Sequence, residues 1–368
     1  MQRRKFITAG LVTGSAALAA ACGKKEEEKE QSPAPAVRKK YSWRMATTWP
    51  KDFPGLGIGA NKLAKYITDM SDGELEVTVY GAGEIVPAFE SFDAVSKGTV
   101  EMGHGAAYYW KGKSPATQFF AAVPFGLTAQ EMNAWIYYGG GQELWDELYA
   151  SFNLKPFLAG NTGVQMGGWF NREINSLDDM KGLKMRMPGL GGEVIGALGA
   201  TPKALPGGEI FTSLQSGAID ATEWVGPYND MAFGLYKAAK YYYYPGWHEP
   251  GTALETFVNK QAYDALPKHL QHVVATAAQA ANMDMLSEFV ARNGSALDTL
   301  ISEHGVILKR FPDEVMKALK TTSEEVVNSV AEKDTASQKV YSAFTDFRKK
   351  VAGWTDLSET PYSQARNL

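Results

Sequence analysis

The chain has 368 residues, 37 basic and 41 acidic side chains for a formal net charge of −4, five histidines and a single cysteine. At ~150 residues per domain this suggests about two domains, and the scattered charge leaves no footprint for nucleic acid. One cysteine excludes an internal disulfide and a thiolate-rich metal site, and the only long apolar run is N-terminal, which excludes a polytopic membrane protein.

Residues 1–21 divide into the regions of an export signal. Arg3, Arg4 and Lys5 form a positive start, and Phe6 to Ala21 carries no charge over ~16 residues, short of the ~20 a spanning helix needs. The order Arg3-Arg4-Lys5-Phe6-Ile7 resembles a twin-arginine export motif, although ordinary Sec export fits the same segment. Cys22 directly follows Leu18-Ala19-Ala20-Ala21, which resembles a lipoprotein box with its leucine one place early. The expectation is a lipid attached at Cys22; the alternative is plain Ala-x-Ala cleavage with a free thiol. Residues 22–40 are then a charge-rich, proline-bearing tether with too little apolar content to offset its ordering entropy. Removing the three basic residues of the signal takes the net charge from −4 to −7.

The folded part is expected from Tyr41 onward. Tyr41 to Thr47 reads as a strand, Gly57 to Met70 as an amphipathic helix, and Leu75 to Tyr80 as an alternating strand. Phe89 to Ser96 and Val100 to Gly103 continue the alternation as a short helix and a short strand, the order of a mostly parallel sheet covered by helices. Further on, Lys155 to Leu158, Val164 to Phe170, Leu183 to Met187, Ile219 to Trp224, Tyr241 to Tyr244 and Leu254 to Val258 read as strands. Gly191 to Leu198 and Glu209 to Ser216 are the helices between them, and the tyrosine run is expected to be buried on both faces. His269 to Ile301 keeps one helical pattern for roughly 50 Å, longer than one small domain. Helices over Pro312 to Ala331 and Thr335 to Val351 end the chain. The predicted fold is α/β with two lobes, a cleft between them and a long helix spanning both. Lobe I takes 41–158 and 252–311, lobe II takes 159–251, and 312–368 forms C-terminal helices.

Signatures of catalysis are missing. There is no G-x-S-x-G, no H-E-x-x-H and no EF-hand loop. Gly112-Lys113-Ser114 has Ala107 where a phosphate loop needs glycine, and the glycines from Gly189 to Gly199 read as a turn into a helix. His248-Glu249 precedes Pro250, so neither lies in a helix that could present a paired metal site. An enzyme is therefore not expected. What remains is a polar set at strand ends. Arg186 closes its strand before Pro188-Gly189, where a guanidinium facing a cleft can grip a carboxylate with two parallel bonds. Gln165, Glu223-Trp224 and Glu249 sit within or just after other apolar segments.

Two segments carry a family resemblance. Asn175-Ser176-Leu177-Asp178-Asp179-Met180-Lys181-Gly182-Leu183-Lys184-Met185-Arg186-Met187-Pro188 and Gly217-Ala218-Ile219-Asp220-Ala221-Thr222-Glu223-Trp224 are similar to signatures of the solute-binding proteins of tripartite ATP-independent periplasmic (TRAP) transporters. The similarity extends over about Tyr41 to Val351. It implies a two-lobed protein that closes on one small organic acid and hands it to a membrane permease, with Arg186 as the carboxylate-binding arginine. Gln165, Glu223, Trp224 and Glu249 resemble the branch that binds 2-oxo or 2-hydroxy acids with a metal ion. In that branch Gln165 and the two glutamates give oxygen ligands and Trp224 its backbone carbonyl. No second basic group stands near Arg186 for a dicarboxylate, so a monocarboxylate is expected.

The charges agree with a cation. Arg186, Glu223, Glu249 and a monocarboxylate sum to −2; sodium would leave −1 and calcium zero, and oxygen ligands suit either ion. Chelation through the α-oxygen would disfavour a plain short acid. On the opposite lobe, Trp49, Phe53, Tyr108 and Tyr109 are candidate cleft residues, with a tyrosine hydroxyl touching the carboxylate. The expected ligand is a pyruvate-like 2-oxo monocarboxylate with sodium or calcium. The alternatives are lactate or another 2-hydroxy acid as a calcium salt, a sensing lipoprotein that uses the same cleft, or an envelope enzyme. A monomer is favoured over a dimer.

Overall fold

The computed structural model describes residues 39–368; the expected signal, Cys22 and most of the tether lie outside the described residues. In chain order, the first half contains β1 (Tyr41–Thr47), α1 (Leu56–Met70), β2 (Leu75–Tyr80), α2 (Ser91–Ser96), β3 (Met102–Gly105), α3 (Ala129–Tyr138), α4 (Gly141–Ala150) and β4 (Leu154–Asn161). A more glycine-rich stretch follows with β5 (Gly168–Phe170), β6 (Lys184–Arg186), α5 (Gly189–Ala197), β7 (Thr201–Lys203), α6 (Gly207–Gln215), β8 (Ala221–Thr222), α7 (Pro227–Phe233) and β9 (Tyr241–Tyr244). The chain ends with β10 (Ala253–Asn259), α8 (Lys260–Asp264), α9 (Lys268–Ser302), β11 (Ile307–Arg310), α10 (Asp313–Ala331), α11 (Thr335–Leu357) and α12 (Glu359–Ala365).

Two sheets organise these elements. The first runs β2-β1-β3-β10-β4, and the second β11-β9-β5-β8-β6-β7. In the first, β1 lies parallel to β2 and β3, whereas β10 is antiparallel to β3 and β4. In the second, β6 is parallel to β7 and β8, while β5 is antiparallel to β8 and β9. The described chain passes between the sheets from β4 to β5, from β9 to β10, and along α9 from β10 to β11.

The 35 residues of α9 reach about 52 Å at ~1.5 Å per residue. Its first half buries Leu270, Val274, Ala277, Ala278 and Ala281 with Trp43, Met45, Ala60 and Leu63 of the first lobe. The small residues let it close on α1. Its later part places Phe289 and Leu300 in a cluster that also holds Trp224 and Tyr242 of the second lobe. Among the described residues no helix is long and apolar enough to cross a membrane.

Several expectations are corrected. Ile307–Arg310 pairs with Tyr241–Tyr244, so this end of the span assigned to lobe I belongs to the second sheet. The lobe boundary after Leu158 also falls inside a strand, because β4 continues to Asn161 against β10. The C-terminal helices are not one unit. Val315 and Leu319 of α10 enter the second lobe's core with Met185 and Phe311, whereas Phe344 of α11 packs edge-on against Trp135 of α3. The strand expected over Val164 to Phe170 is regular only from Gly168, because the amides of Gln165 and Met166 donate instead to the carbonyls of Glu249 and Val225. The strand expected over Val100 to Gly103 starts two residues later and so includes His104. Of the tyrosine run, only Tyr242 and Tyr243 are buried.

Candidate functional site

The two family-like segments turn out to be local devices that present side chains. Ser176 and Asp179 form a reciprocal capping box around the turn Leu177–Met180, which feeds the chain into β6. Asp220 then ties β8 to β6 by accepting from the amide of Lys184 at 2.9 Å. The two strands are parallel with Arg186 opposite Thr222, so Arg186 and Glu223 emerge at the same end of the sheet. Immediately beyond, buried Asp230 accepts from Trp169 Nε1, Tyr242 OH and the amides of Val225 and Gly226. Burial pushes this carboxyl up to about 6, against the pull of those donors. It clamps the loop that carries Glu223 and Trp224.

Arg186 is 1% exposed and Glu223 has no exposure. The guanidinium Nη1 donates to Glu223 Oε1 and to the Glu223 carbonyl, Nε donates to the Leu205 carbonyl at 3.2 Å, and Nη2 reaches Tyr109 OH at 3.4 Å. The Trp224 ring lies 5.2 Å from the guanidinium carbon. Burial works against the arginine's charge, but Glu223 and the neighbouring acidic groups outweigh it and hold its pKa above the usual value. Glu249, 3% exposed, accepts on Oε2 from Gln165 Nε2 at 2.7 Å and Thr252 Oγ1 at 2.5 Å. Burial first, and the Glu223 carboxylate second, push Glu249 up to about 7.

Several buried polar atoms here lack a partner: Gln165 Oε1, Glu223 Oε2, and both ring nitrogens of His248. Glu223, His248 and Glu249 each offer one ligand atom, and these atoms all lie within 4.8 Å of one another. Buried oxygens of opposed acceptor groups are unfavourable unless something positive sits among them.

The other wall comes from the first lobe. Tyr108 and Tyr109 sit on the short turn after β3, and Trp49 follows β1. Trp49 meets Trp224 edge-on at 6.1 Å, and Phe53 stacks on Phe233 at 4.1 Å. Between the walls lies a small cavity, its apolar side formed by Leu56, Val225 and Leu254. Two glycines permit this approach. Gly189 has φ +63°, and a Cβ there would stand 3.1 Å from Tyr108 Cβ. At Gly191 a Cβ would fall 2.9 Å from His248 Cβ.

The structure thus brings together Arg186, Gln165, Glu223, Trp224, Glu249, Tyr108 and Tyr109, with Trp49 and Phe53 behind them. Sequence reasoning missed four contributors. His248 lies outside a helix, and Thr162 and Thr252, whose hydroxyls accept from Gln165 Nε2 at 3.1 and 3.2 Å, had no signal beyond their closeness to strand ends. His104 Nδ1, accepting from Trp49 Nε1 at 2.9 Å, also acts unseen by orienting a wall residue.

The sequence profile of the family described as "Bacterial extracellular solute-binding protein, family 7" matches residues 45–334. The chain is 46% identical over 363 residues, covering 98% of both chains, to the "Monocarboxylate 2-oxoacid-binding periplasmic protein" of Nostoc sp.. It is similar in structure to a TRAP periplasmic solute-binding protein of Pseudoalteromonas atlantica with bound sodium and pyruvate, with a TM-score of 0.86, 45% identity, and 89% of this chain and 99% of that one covered. A TRAP protein of Colwellia psychrerythraea with bound calcium and pyruvate matches with a TM-score of 0.86 and 44% identity over 89% of this chain and 100% of that one.

Proposed function

The chain belongs to family 7 of the bacterial extracellular solute-binding proteins, and from that premise we propose that it captures a small 2-oxo monocarboxylate of the pyruvate type together with sodium or calcium. It delivers this acid in the periplasm to the membrane permease of a TRAP transporter. The observation that carries the reading is the buried set Arg186, Glu223 and Glu249, in which Glu223 Oε2 and Gln165 Oε1 have no partner.

This set fits a cation. With both glutamates ionised, one arginine cannot neutralise them and an incoming carboxylate, and the unpartnered oxygens are hard donors. Gln165, Glu223 and Glu249, with the Trp224 carbonyl, would hold the ion. A bound cation supplies positive charge for the α-oxygen and carboxylate of the acid. Arg186 receives the carboxylate on Nη2, whose protein contact is the long bond to Tyr109 OH. Tyr108 and Tyr109 close the polar side, burial holding both phenols protonated. Leu56, Val225 and Leu254 bound the alkyl end and favour short acids. Attachment through Cys22 is part of the proposal, supported by the small residues before it and the polar tether after it.

The test is a tryptophan fluorescence titration of dialysed protein with pyruvate, 2-oxobutyrate, lactate and propionate, with sodium, with calcium, and with neither. Pyruvate and 2-oxobutyrate should bind when a cation is present, and propionate at least ~100-fold more weakly. Absence of any response, or cation-independent binding of propionate and pyruvate alike, overturns the assignment.

A further inference from the structure

The turn between β9 and β10 contributes a donor of a different kind to the same cluster. His248 is 1% exposed, and neither Nδ1 nor Nε2 has a hydrogen-bond partner. Its Nε2 lies 3.6 Å from Glu223 Oε2, the oxygen of that carboxylate turned away from Arg186 and itself without a partner. The ring is held in place from two sides. Trp247 stands edge-on at 5.5 Å between ring centroids, and the missing side chain of Gly191 makes room for the His248 Cβ. An imidazole fixed in a dry position with two idle nitrogens, beside two carboxylates, is arranged as a ligand is arranged.

Nitrogen changes which ions such a site accepts. Purely oxygen donors suit sodium and calcium, whereas an imidazole added to carboxylates raises affinity for borderline first-row divalent ions such as cobalt and zinc. Charge does not separate calcium from these ions, because any divalent cation neutralises Arg186, Glu223, Glu249 and a monocarboxylate equally. The donor set separates them. Opposed donors on an ion with bonds of ~2.1 Å stand up to ~4.2 Å apart. The cluster, with its atoms within 4.8 Å of one another, needs only a small inward shift of side chains.

We propose that His248 is a nitrogen ligand of the cation that accompanies the acid, so that the cleft takes its ligand with a first-row divalent ion as well as with sodium or calcium. The inference rests on the proposed cation-dependent acid binding and extends it to the class of ion.

The full-length protein is freed of metal with a chelator, and pyruvate is titrated in the presence of sodium, calcium or cobalt, in wild type, His248→Gln and His248→Phe. Cobalt should support pyruvate binding at least as well as calcium in the wild type. His248→Gln, which keeps a polar group of similar reach, should weaken the cobalt-supported affinity at least tenfold while changing the calcium-supported one less than about threefold. The visible absorption of bound cobalt should shift between the two proteins. Should the variants fail to fold, pulsed electron paramagnetic resonance of copper-loaded wild type decides, since a ligated imidazole shows modulation from its remote ring nitrogen. Calcium preference with an unchanged cobalt spectrum in His248→Gln, or no imidazole modulation in the wild type, overturns the inference and leaves the proposed function standing. Failure of every cation to promote pyruvate binding removes both.

Discussion

Arg186 Nη1 donates to the backbone carbonyl and to the side-chain Oε1 of the same residue, Glu223, across two parallel strands. The guanidinium is thereby spent on orienting its partner at one nitrogen and left open at another. Removal of either member therefore has two separable effects. Arg186→Met leaves the Glu223 carboxylate buried without its counter-charge, and should destabilise the protein by about 3–5 kcal/mol in thermal or urea unfolding. Arg186→Lys keeps the charge but loses the planar fork. It should unfold close to the wild-type midpoint yet bind pyruvate at least ~100-fold more weakly in the fluorescence titration. Wild-type affinity in Arg186→Lys would remove the arginine from the site.

Gly189 packs against Tyr108 on the polar side of the site. Its φ is +63°, and a Cβ there would stand 3.1 Å from Tyr108 Cβ, so a side chain is both strained and crowded. Gly189→Ala should cost about 1–2 kcal/mol from backbone strain alone. Gly189→Val should in addition hold the lobes apart, seen as a larger radius of gyration in solution scattering with ligand present and a weakened affinity. An unchanged affinity in Gly189→Val would mean that closure does not bring Tyr108 onto this glycine.

A buried carboxyl in the first lobe makes stability fall with pH. Glu255 on β10 accepts from Trp110 Nε1 and Tyr149 OH, and burial pushes it from 4.5 up to about 7. Between those values the folded protein holds a proton that the unfolded chain has released. Its contribution is therefore greatest below about 4.5 and is lost as pH rises through about 7. The expected loss is on the order of 3 kcal/mol at most. Glu255→Gln removes this titration, so the difference in unfolding free energy between variant and wild type should shift in favour of the variant from pH 5 to pH 8. A difference independent of pH would show that Glu255 does not titrate in this range.

Cys22 and the ligand site are predicted to be independent. Cys22→Ser should move the exported protein from the membrane fraction to the soluble periplasmic fraction, while pyruvate affinity stays within twofold. Equal membrane retention of the variant would rule out the lipid.

Periodicity carried the parts of the fold where one face is buried and the other wet. Tyr41–Thr47, Leu75–Tyr80 and the long α9 lie where the apolar spacing put them. It failed where tertiary pairing decides. Ile307–Arg310 is a strand because Tyr241–Tyr244 supplies a parallel neighbour some 60 residues earlier, and its own side chains are half or fully exposed. The helix Ala129–Tyr138 was missed although Thr128 and Glu131 form a capping box that the sequence displays. In the site, Arg186, Glu223 and Glu249 were legible as polar residues closing apolar strands. His248 was not, because its relevant neighbour is Glu223 on another strand, not Glu249 beside it in the chain. Glu255 gave no signal either: it sits mid-strand, and its donors come from Trp110 and Tyr149.

The walls of the cavity have a kinetic meaning. Trp49, Gln165 and Trp224, which line it, are each at most 4% exposed, and Phe53 stacks on Phe233 beside Trp224. A molecule enclosed between walls this buried leaves when the walls part. Its residence time then follows the opening of the liganded protein, which differs from acid to acid with the contacts each makes to the two walls. Individual contacts decide both which acids allow the walls to close and how slowly they part again.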